Sequence, residues 1–231
     1  MASSTDTRPI PRSPKIGLYR RSVSIFLGAL VLFLVAMPIA QYLTDPGLLE
    51  GPLLAVVLIA GVLAVGGRRR SLLLATSLAV PALAARWLWH YWPEPYLHGL
   101  FLLLGALLLL QVMVHLLHFI VRASLVDSEV LAAGIATYLV LGIMWGILYL
   151  LVGFLEPNAF SLPTVAGAPR VLEGYDALYF SFVTLTTIGY GEITPVAPFA
   201  RMLAIAEATV GTLYLAVLIA RLVTLYTERR T

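Results

Sequence analysis

The sequence contains no cysteine, and only 12% of its 231 residues are charged. The absence of cysteine excludes disulfides, thiolate metal sites and cysteine nucleophiles. Since 60% of the residues are apolar, the scarcity of charge also excludes a water-soluble domain, whose core could not cover so much apolar surface. No nucleophile, acid–base pair or metal cluster stands out in the sequence, so we do not expect an enzyme.

Positive charge in this sequence is not arranged as a surface for nucleic acid. The net charge is only +3, and the charged residues lie at the ends of apolar segments rather than along one basic stripe. We therefore expect no nucleic-acid partner, and we expect membrane lipid to surround most of the chain.

Apolar residues recur in six runs that approach the length of a membrane span. A helix needs about 20 apolar residues to cross a hydrocarbon core of roughly 30 Å. The runs are 23–43, 51–67, 71–92, 96–121, 130–155 and 198–226. The second run is the shortest. The sequence thus predicts an all-α membrane protein with six transmembrane helices.

Basic residues predict the orientation of these spans. If all six runs cross the membrane, the basic clusters share one side, which is expected to be cytoplasmic together with both termini. The clusters contain Arg8, Arg12, Lys15, Arg20, Arg21, Arg68, Arg69, Arg70, Arg122, Arg229 and Arg230. Binding of anionic lipid is an alternative role for 68–70. We expect a plasma membrane, and the compact chain favours a bacterial inner membrane.

The spans divide the chain into three regions. Residues 1–21 are rich in serine, threonine, proline and arginine, and they have too little apolar surface to fold, so a basic cytoplasmic tail is expected. Residues 22–122 carry the first four spans. Residues 123–231 carry the last two spans and the loop between them.

That loop contains an apolar and aromatic segment, 175–185, which is too short to cross a membrane and is typical of a re-entrant helix. It leads into 187–191, where non-helical backbone at membrane depth is tolerated only if it is buried in protein or lines a water-filled path. Gly189 and Gly191 can adopt left-handed conformations without a Cβ clash, so successive carbonyls can point the same way.

The loop sequence is DALYFSFVTLTTIGYGEITP from Asp176 to Pro195. Over residues 130–226 this pattern resembles the pore domain of the potassium channel family, in which two spans enclose a pore helix, a T-x-G-Y-G filter, an acidic residue and a nearby proline. The resemblance implies that 123–231 are a pore domain and that three identical subunits complete a homotetramer. It also implies passive potassium conduction without an organic cofactor, with potassium as the permeant ligand.

The same resemblance implies roles for the residues of the loop. Potassium is expected to bind the selectivity filter, mainly through backbone carbonyls, at Thr187, Ile188, Gly189, Tyr190 and Gly191. Tyr190 is expected to face away from the pore axis and to pack on the pore helix. The residues expected to support the filter are Thr186, Tyr179, Phe180 and Glu192, the last at the outer mouth.

Three positions depart from the family pattern. Glu192 stands where aspartate is commoner, Val183 stands where some members place a glutamate, and Ile188 stands where valine is usual. The first two are expected to alter inactivation of the filter. The third should be nearly silent, because its carbonyl rather than its side chain lines the path.

Glu207 and Gly211 lie one helical turn apart in the last span and are candidates for gating. A carboxyl group in a membrane helix is costly unless it is paired. Glu207 therefore either tunes permeation or gating, or is held by the pore helix through Thr184, Thr186 or Tyr179. Gly211 is either a hinge, at a position where the family often bends, or a site of close helix packing.

A polar stripe in the fourth span comprises Gln111, His115, His118 and Arg122, whose spacing puts them on one helix face. Hydrogen-bonded packing, pH sensing by His115 and His118, and metal binding are the alternatives for this stripe. Without a carboxylate on the same face, a metal site has the least support.

Voltage sensing is not expected, because it requires several arginines at every third position within a span. Arg86 is the one arginine well inside an upstream span, and it is close enough to the outer aromatic residues to reach the interface. Two other functions remain open: a weakly selective cation channel, and a potassium transporter or sensor subunit with a vestigial pore.

Overall fold

The computed structural model describes residues 14–43, 46–65, 69–123, 127–163 and 171–228. These residues are almost entirely helical, which confirms the predicted all-α class. The elements are α1 (Pro14–Leu43), α2 (Pro46–Ala64), α3 (Arg69–Tyr91), α4 (Pro95–Arg122), α5 (Ser128–Leu155), β1 (Phe160–Ser161), α6 (Gly174–Leu185), β2 (Thr194–Pro195) and α7 (Pro198–Glu228). Residues 1–13 of the predicted tail, and Arg68, Arg229 and Arg230 of the predicted topology signals, lie outside the described residues.

Five helices are long and apolar enough to cross a membrane, namely α1, α3, α4, α5 and α7. The chain is therefore a multi-pass membrane protein. The apolar stretch of α2, Gly51–Ala64, is shorter than a full span, and it corresponds to the shortest of the six predicted runs. A sixth crossing at this place stays a prediction.

Helix α1 begins earlier than the sequence predicts. It starts at Pro14, so residues 14–21 are helical rather than part of an unstructured tail. Proline suits the first turn of a helix because it lacks only an N–H group that would have no partner there. Once an apolar span has formed, extending it by further residues adds one hydrogen bond per residue fixed.

Helix α5 is the centre of the packing, since it contacts α1, α4, α6 and α7. Its start is defined by Asp127, whose Oδ1 accepts hydrogen bonds from the N–H groups of Glu129 (3.1 Å) and Val130 (3.0 Å). Within the segments long enough to span, 61% of the residues of α5 are buried, but only 11% of those of α7. One chain alone therefore leaves most of α7 without a protein neighbour.

The far end of α7 is held by the end of α4. Arg221 Nη2 donates hydrogen bonds to the carbonyl oxygens of Val121 and Ala123, each at 3.0 Å. A cation in this place suits the unpaired carbonyls and the negative dipole end of α4. The last helix is thus attached to the end of α4 as well as to α5.

Helix α6 has 12 residues, which at about 1.5 Å per residue is too short to cross a membrane. It lies against α5, and the chain after it returns to the segment that follows α5. There β1 and β2 form a short antiparallel pair in which Phe160 is opposite Pro195 and Ser161 is opposite Thr194. The pair ties the end of the segment between α6 and α7 to the loop that follows α5.

Candidate functional site

The segment 186–192 follows α6 directly. Along it, residues with positive φ alternate with residues whose φ is negative. Thr187, Gly189 and Gly191 have φ angles of +60°, +59° and +89°, and Thr187 is the one non-glycine residue with positive φ in the described ranges. Alternation of this kind turns successive carbonyl groups toward the same side. It was predicted for the two glycines but not for Thr187.

The N–H groups of this segment are bound to the last turn of α6. Ile188 and Gly189 both donate to the carbonyl oxygen of Val183, at 3.0 and 3.3 Å, and the Thr187 N–H donates to Thr184 at 2.9 Å. In a trans peptide the carbonyl points opposite to the N–H, so the carbonyls of Thr187 and Ile188 point away from α6. These two oxygens are therefore free of α6.

Two of the predicted supporting residues contact each other across the segment. The hydroxyl of Tyr179, on α6, donates a hydrogen bond to Oε1 of Glu192. This bond, together with desolvation, raises the pKa of Tyr179 to about 12. Thr186 uses its hydroxyl differently, since it donates to the Phe182 carbonyl of its own helix at 2.6 Å.

The predicted packing of Tyr190 on the pore helix stays a prediction. The ring of Phe180 lies against Tyr149 (centroids 4.8 Å apart) and Phe160 (5.6 Å), because it is on the face of α6 that meets α5. Tyr190 remains 69% exposed. A cavity of about 200 Å³ lies behind the segment, lined by residues that include Tyr179, Val183 and Thr184.

Glu207 is fully buried and is held by α6, as one of the two interpretations predicted, but through different residues. Its Oε1 lies 2.5 Å from Ser181 Oγ, and its Oε2 lies 2.5 Å from the hydroxyl of Tyr149 on α5. The predicted partners were Thr184, Thr186 and Tyr179, and this prediction was wrong. Ser181 is on the face of α6 that is buried against α5, whereas Tyr179 and Thr186 bond elsewhere.

Gly211 is a site of close packing between α7 and the end of α6. A Cβ atom added to Gly211 would lie 2.6 Å from Leu185 Cδ1 and 2.8 Å from the Leu185 carbonyl oxygen. Both distances are shorter than van der Waals contact. This geometry favours the packing role that the sequence left open beside a hinge.

The polar stripe of α4 contributes to helix packing at Gln111. Gln111 Nε2 donates to the Ser71 carbonyl of α3 at 2.9 Å, whereas His118 Nδ1 lies 3.0 Å from the Val114 carbonyl of its own helix. In the described part of the chain, no group of three His, Cys, Asp or Glu residues could hold a metal ion. Arg86 lies over the ring of Trp89, 4.9 Å from its centroid.

Comparison with known proteins matches the C-terminal part of the chain. The model of a family described as "Ion channel" matches residues 137–228. "Two pore potassium channel c" of Oryza sativa subsp. japonica is 56% identical over 36 residues, which are 16% of this chain and 8% of that protein. "Protein LctB" of Geobacillus stearothermophilus is 43% identical over 61 residues, or 26% of this chain and 45% of that protein.

"Protein LctB" of Bacillus caldotenax matches with the same identity and the same shares. The chain thus spans less than half the length of the curated relatives it matches. No solved structure matches the chain.

Proposed function

We propose that this chain, whose residues 137–228 match the model of the family described as "Ion channel", is one subunit of a homotetrameric channel selective for potassium. The single observation that carries the proposal is the alternating backbone of 187–191, with the carbonyls of Thr187 and Ile188 directed away from α6. Four such segments around one axis would form stacked rings of oxygens that replace the hydration shell of a potassium ion. The ligands are Thr187, Ile188, Gly189, Tyr190 and Gly191.

The surroundings of the segment support the same function. Helix α6 ends at Leu185, so its negative dipole end faces the region that a cation would cross. Tyr179 and Glu192 brace the filter through their hydrogen bond, whereas Phe180 and Thr186 support it indirectly by holding α6. Glu207 and Gly211, which contact α6 from α7, remain the candidates for gating.

The regions of the chain then have separate roles. Residues 123–231 are the pore domain, 22–122 are a membrane domain of four spans without a voltage sensor, and 1–21 are a cytoplasmic tail. Conduction is passive and requires neither an enzymatic step nor an organic cofactor. We place the protein in the plasma membrane, and by its compact size in a bacterial inner membrane, with both termini in the cytoplasm.

Ion flux into liposomes containing the purified protein tests the proposal. We expect potassium flux to exceed sodium flux and to be blocked by barium. Gly189→Asp should abolish the flux, because it puts a charged side chain on a left-handed filter residue. Gly28→Ala is the matched control, since a Cβ atom there meets nothing within 4 Å and flux should be unchanged.

Other results would favour other functions. Equal sodium and potassium flux would contradict selectivity and indicate a weakly selective cation channel. An absence of flux over a range of pH, voltage and lipid composition would contradict the channel proposal and favour a transporter or sensor subunit with a vestigial pore.

A further inference from the structure

Three helices of the pore region meet at the carboxyl group of Glu207. Glu207 belongs to α7, Ser181 to α6, and Tyr149 to α5, and the side chains of all three are fully buried. Ser181 also contacts the backbone of α5, because its Oγ lies 2.7 Å from the carbonyl oxygen of Gly142. The four groups form one connected cluster, which we name the Glu207 cluster.

The Glu207 cluster contains three short oxygen–oxygen contacts. They join Tyr149 to Glu207 (2.5 Å), Ser181 to Glu207 (2.5 Å) and Ser181 to the Gly142 carbonyl (2.7 Å). Each contact requires one proton between its two oxygens. A carbonyl oxygen has no proton to give, and the hydroxyl groups of Ser181 and Tyr149 supply one each. A carboxylate would leave one of the three contacts without a proton.

We infer that Glu207 carries a proton, and that the neutral carboxyl group is a positioning residue that fixes α6, and through it the ion filter, between α5 and α7. In this arrangement Tyr149 donates to Oε2 of Glu207, the protonated Oε1 donates to Ser181, and Ser181 donates to the Gly142 carbonyl. Every polar atom of the cluster then has a partner. The inference rests on the proposed function of 187–191.

The position of the Glu207 cluster explains why it acts on the filter. Glu207 and Gly211 are four residues apart on α7, and their contacts on α6, Ser181 and Leu185, are also four residues apart. Two successive turns of α7 therefore hold the C-terminal half of α6. Val183 lies between these two contacts, and its carbonyl binds the N–H groups of filter residues 188 and 189.

Loss of the proton from Glu207 would release one of the three contacts. Both hydroxyl groups would then donate to the carboxylate, and Ser181 would release the Gly142 carbonyl of α5. The titratable groups that face Glu207 from α5 are Tyr149 and Tyr138, and Ser181 is its partner on α6.

Infrared spectroscopy of the purified tetramer tests the proton directly. A protonated carboxyl group has a carbonyl stretch at higher frequency than a carboxylate. We expect such a band in the wild type near neutral pH, its absence in the Glu207→Gln spectrum, and its disappearance from the wild type at alkaline pH. A wild-type spectrum without this band would overturn the inference, whether or not the variant folds.

Flux measurements on two variants test the positioning role. Glutamine can donate from its amide to Ser181 and accept from Tyr149. The potassium-to-sodium flux ratio of Glu207→Gln should therefore stay within about twofold of the wild-type ratio, and it should not change with pH as the wild-type ratio does. Methionine is similar in size to glutamate but lacks its oxygen atoms. We expect the potassium-to-sodium flux ratio of Glu207→Met to be about tenfold lower than that of the wild type, which corresponds to the loss of one ordinary hydrogen bond.

The outcomes separate this inference from the proposed function. Equal losses of selectivity in the two variants would contradict the positioning role, because they would show that an amide cannot replace the protonated carboxyl. A wild-type protein that shows the infrared band but conducts no ion would contradict the proposed function and still support a protonated Glu207.

Discussion

At Gly211, α7 passes so close to the end of α6 that no methyl group fits between them. We expect Gly211→Ala to lower the free energy of unfolding by about 1–3 kcal/mol, the usual cost of overpacking. The reason is that the added Cβ would lie 2.8 Å from the Leu185 carbonyl oxygen, which is backbone and cannot rotate away. Thermal denaturation of the purified protein, followed by circular dichroism, measures the change.

Gly105→Ala is the matched control for this substitution. Gly105 also lies in a membrane helix, but a Cβ atom there meets nothing within 4 Å. Alanine is the better helix former, so this variant should be as stable as the wild type or slightly more stable. Equal stability of the Gly211 and Gly105 variants would show that α7 can move away from α6 at no cost.

In segment 187–191, the type of a residue predicts its backbone conformation at some positions and not at others. The left-handed backbone of Gly189 and Gly191 follows from the sequence, because glycine adopts it without a steric cost. Thr187 has the same conformation although its side chain is β-branched and disfavours it. Thr187 is held in this conformation by hydrogen bonds to α6 from its own N–H group and those of its neighbours. Contacts of that kind cannot be predicted from the residue type alone.

Helix α5 shows what one residue contributes at the scale of an element. Asp127 accepts from two N–H groups of the first turn, which have no partner within the helix. We expect Asp127→Ala to lower the free energy of unfolding by about 0.5–2 kcal/mol, the usual effect of losing an N-cap. Because α5 contacts four other helices, thermal denaturation should detect the change in the whole protein.

Asp127→Asn separates capping from charge. Asparagine is about as good an N-cap as aspartate, so this variant should keep most of the stability. If it were as unstable as the alanine variant, the negative charge near the positive end of the helix dipole, rather than the hydrogen bonds, would be the main contribution.

Long elements were predictable from this sequence, and short ones were predictable only in part. Apolar runs of span length predicted α1, α3, α4, α5 and α7. The pair β1–β2 has two residues on each strand, too few for any periodic pattern. The partner of Glu207 was placed on the correct helix but at the wrong residue, since a small rotation of α6 changes which residues face α7.

For the whole molecule, the exposure of α7 and of segment 187–191 is what the proposed tetramer predicts for a single subunit. Ile188 is 55% exposed and Tyr190 is 69% exposed in a single chain. We expect native mass spectrometry of the protein in mild detergent to give four times the chain mass of 25.1 kDa. A stable monomer or dimer that conducts potassium would contradict the assembly on which the filter depends.

The hydrogen bonds from Arg221 to the end of α4 couple the position of α7 to that of α4. A displacement of the end of α7 must either break these two bonds, each of the strength typical for a charged donor, about 1.5–3 kcal/mol, or carry the end of α4 with it. Such an effect is reciprocal. A change that displaces the end of α4 therefore shifts α7 by at most this coupling free energy, and a displacement of α7 affects α4 by the same amount.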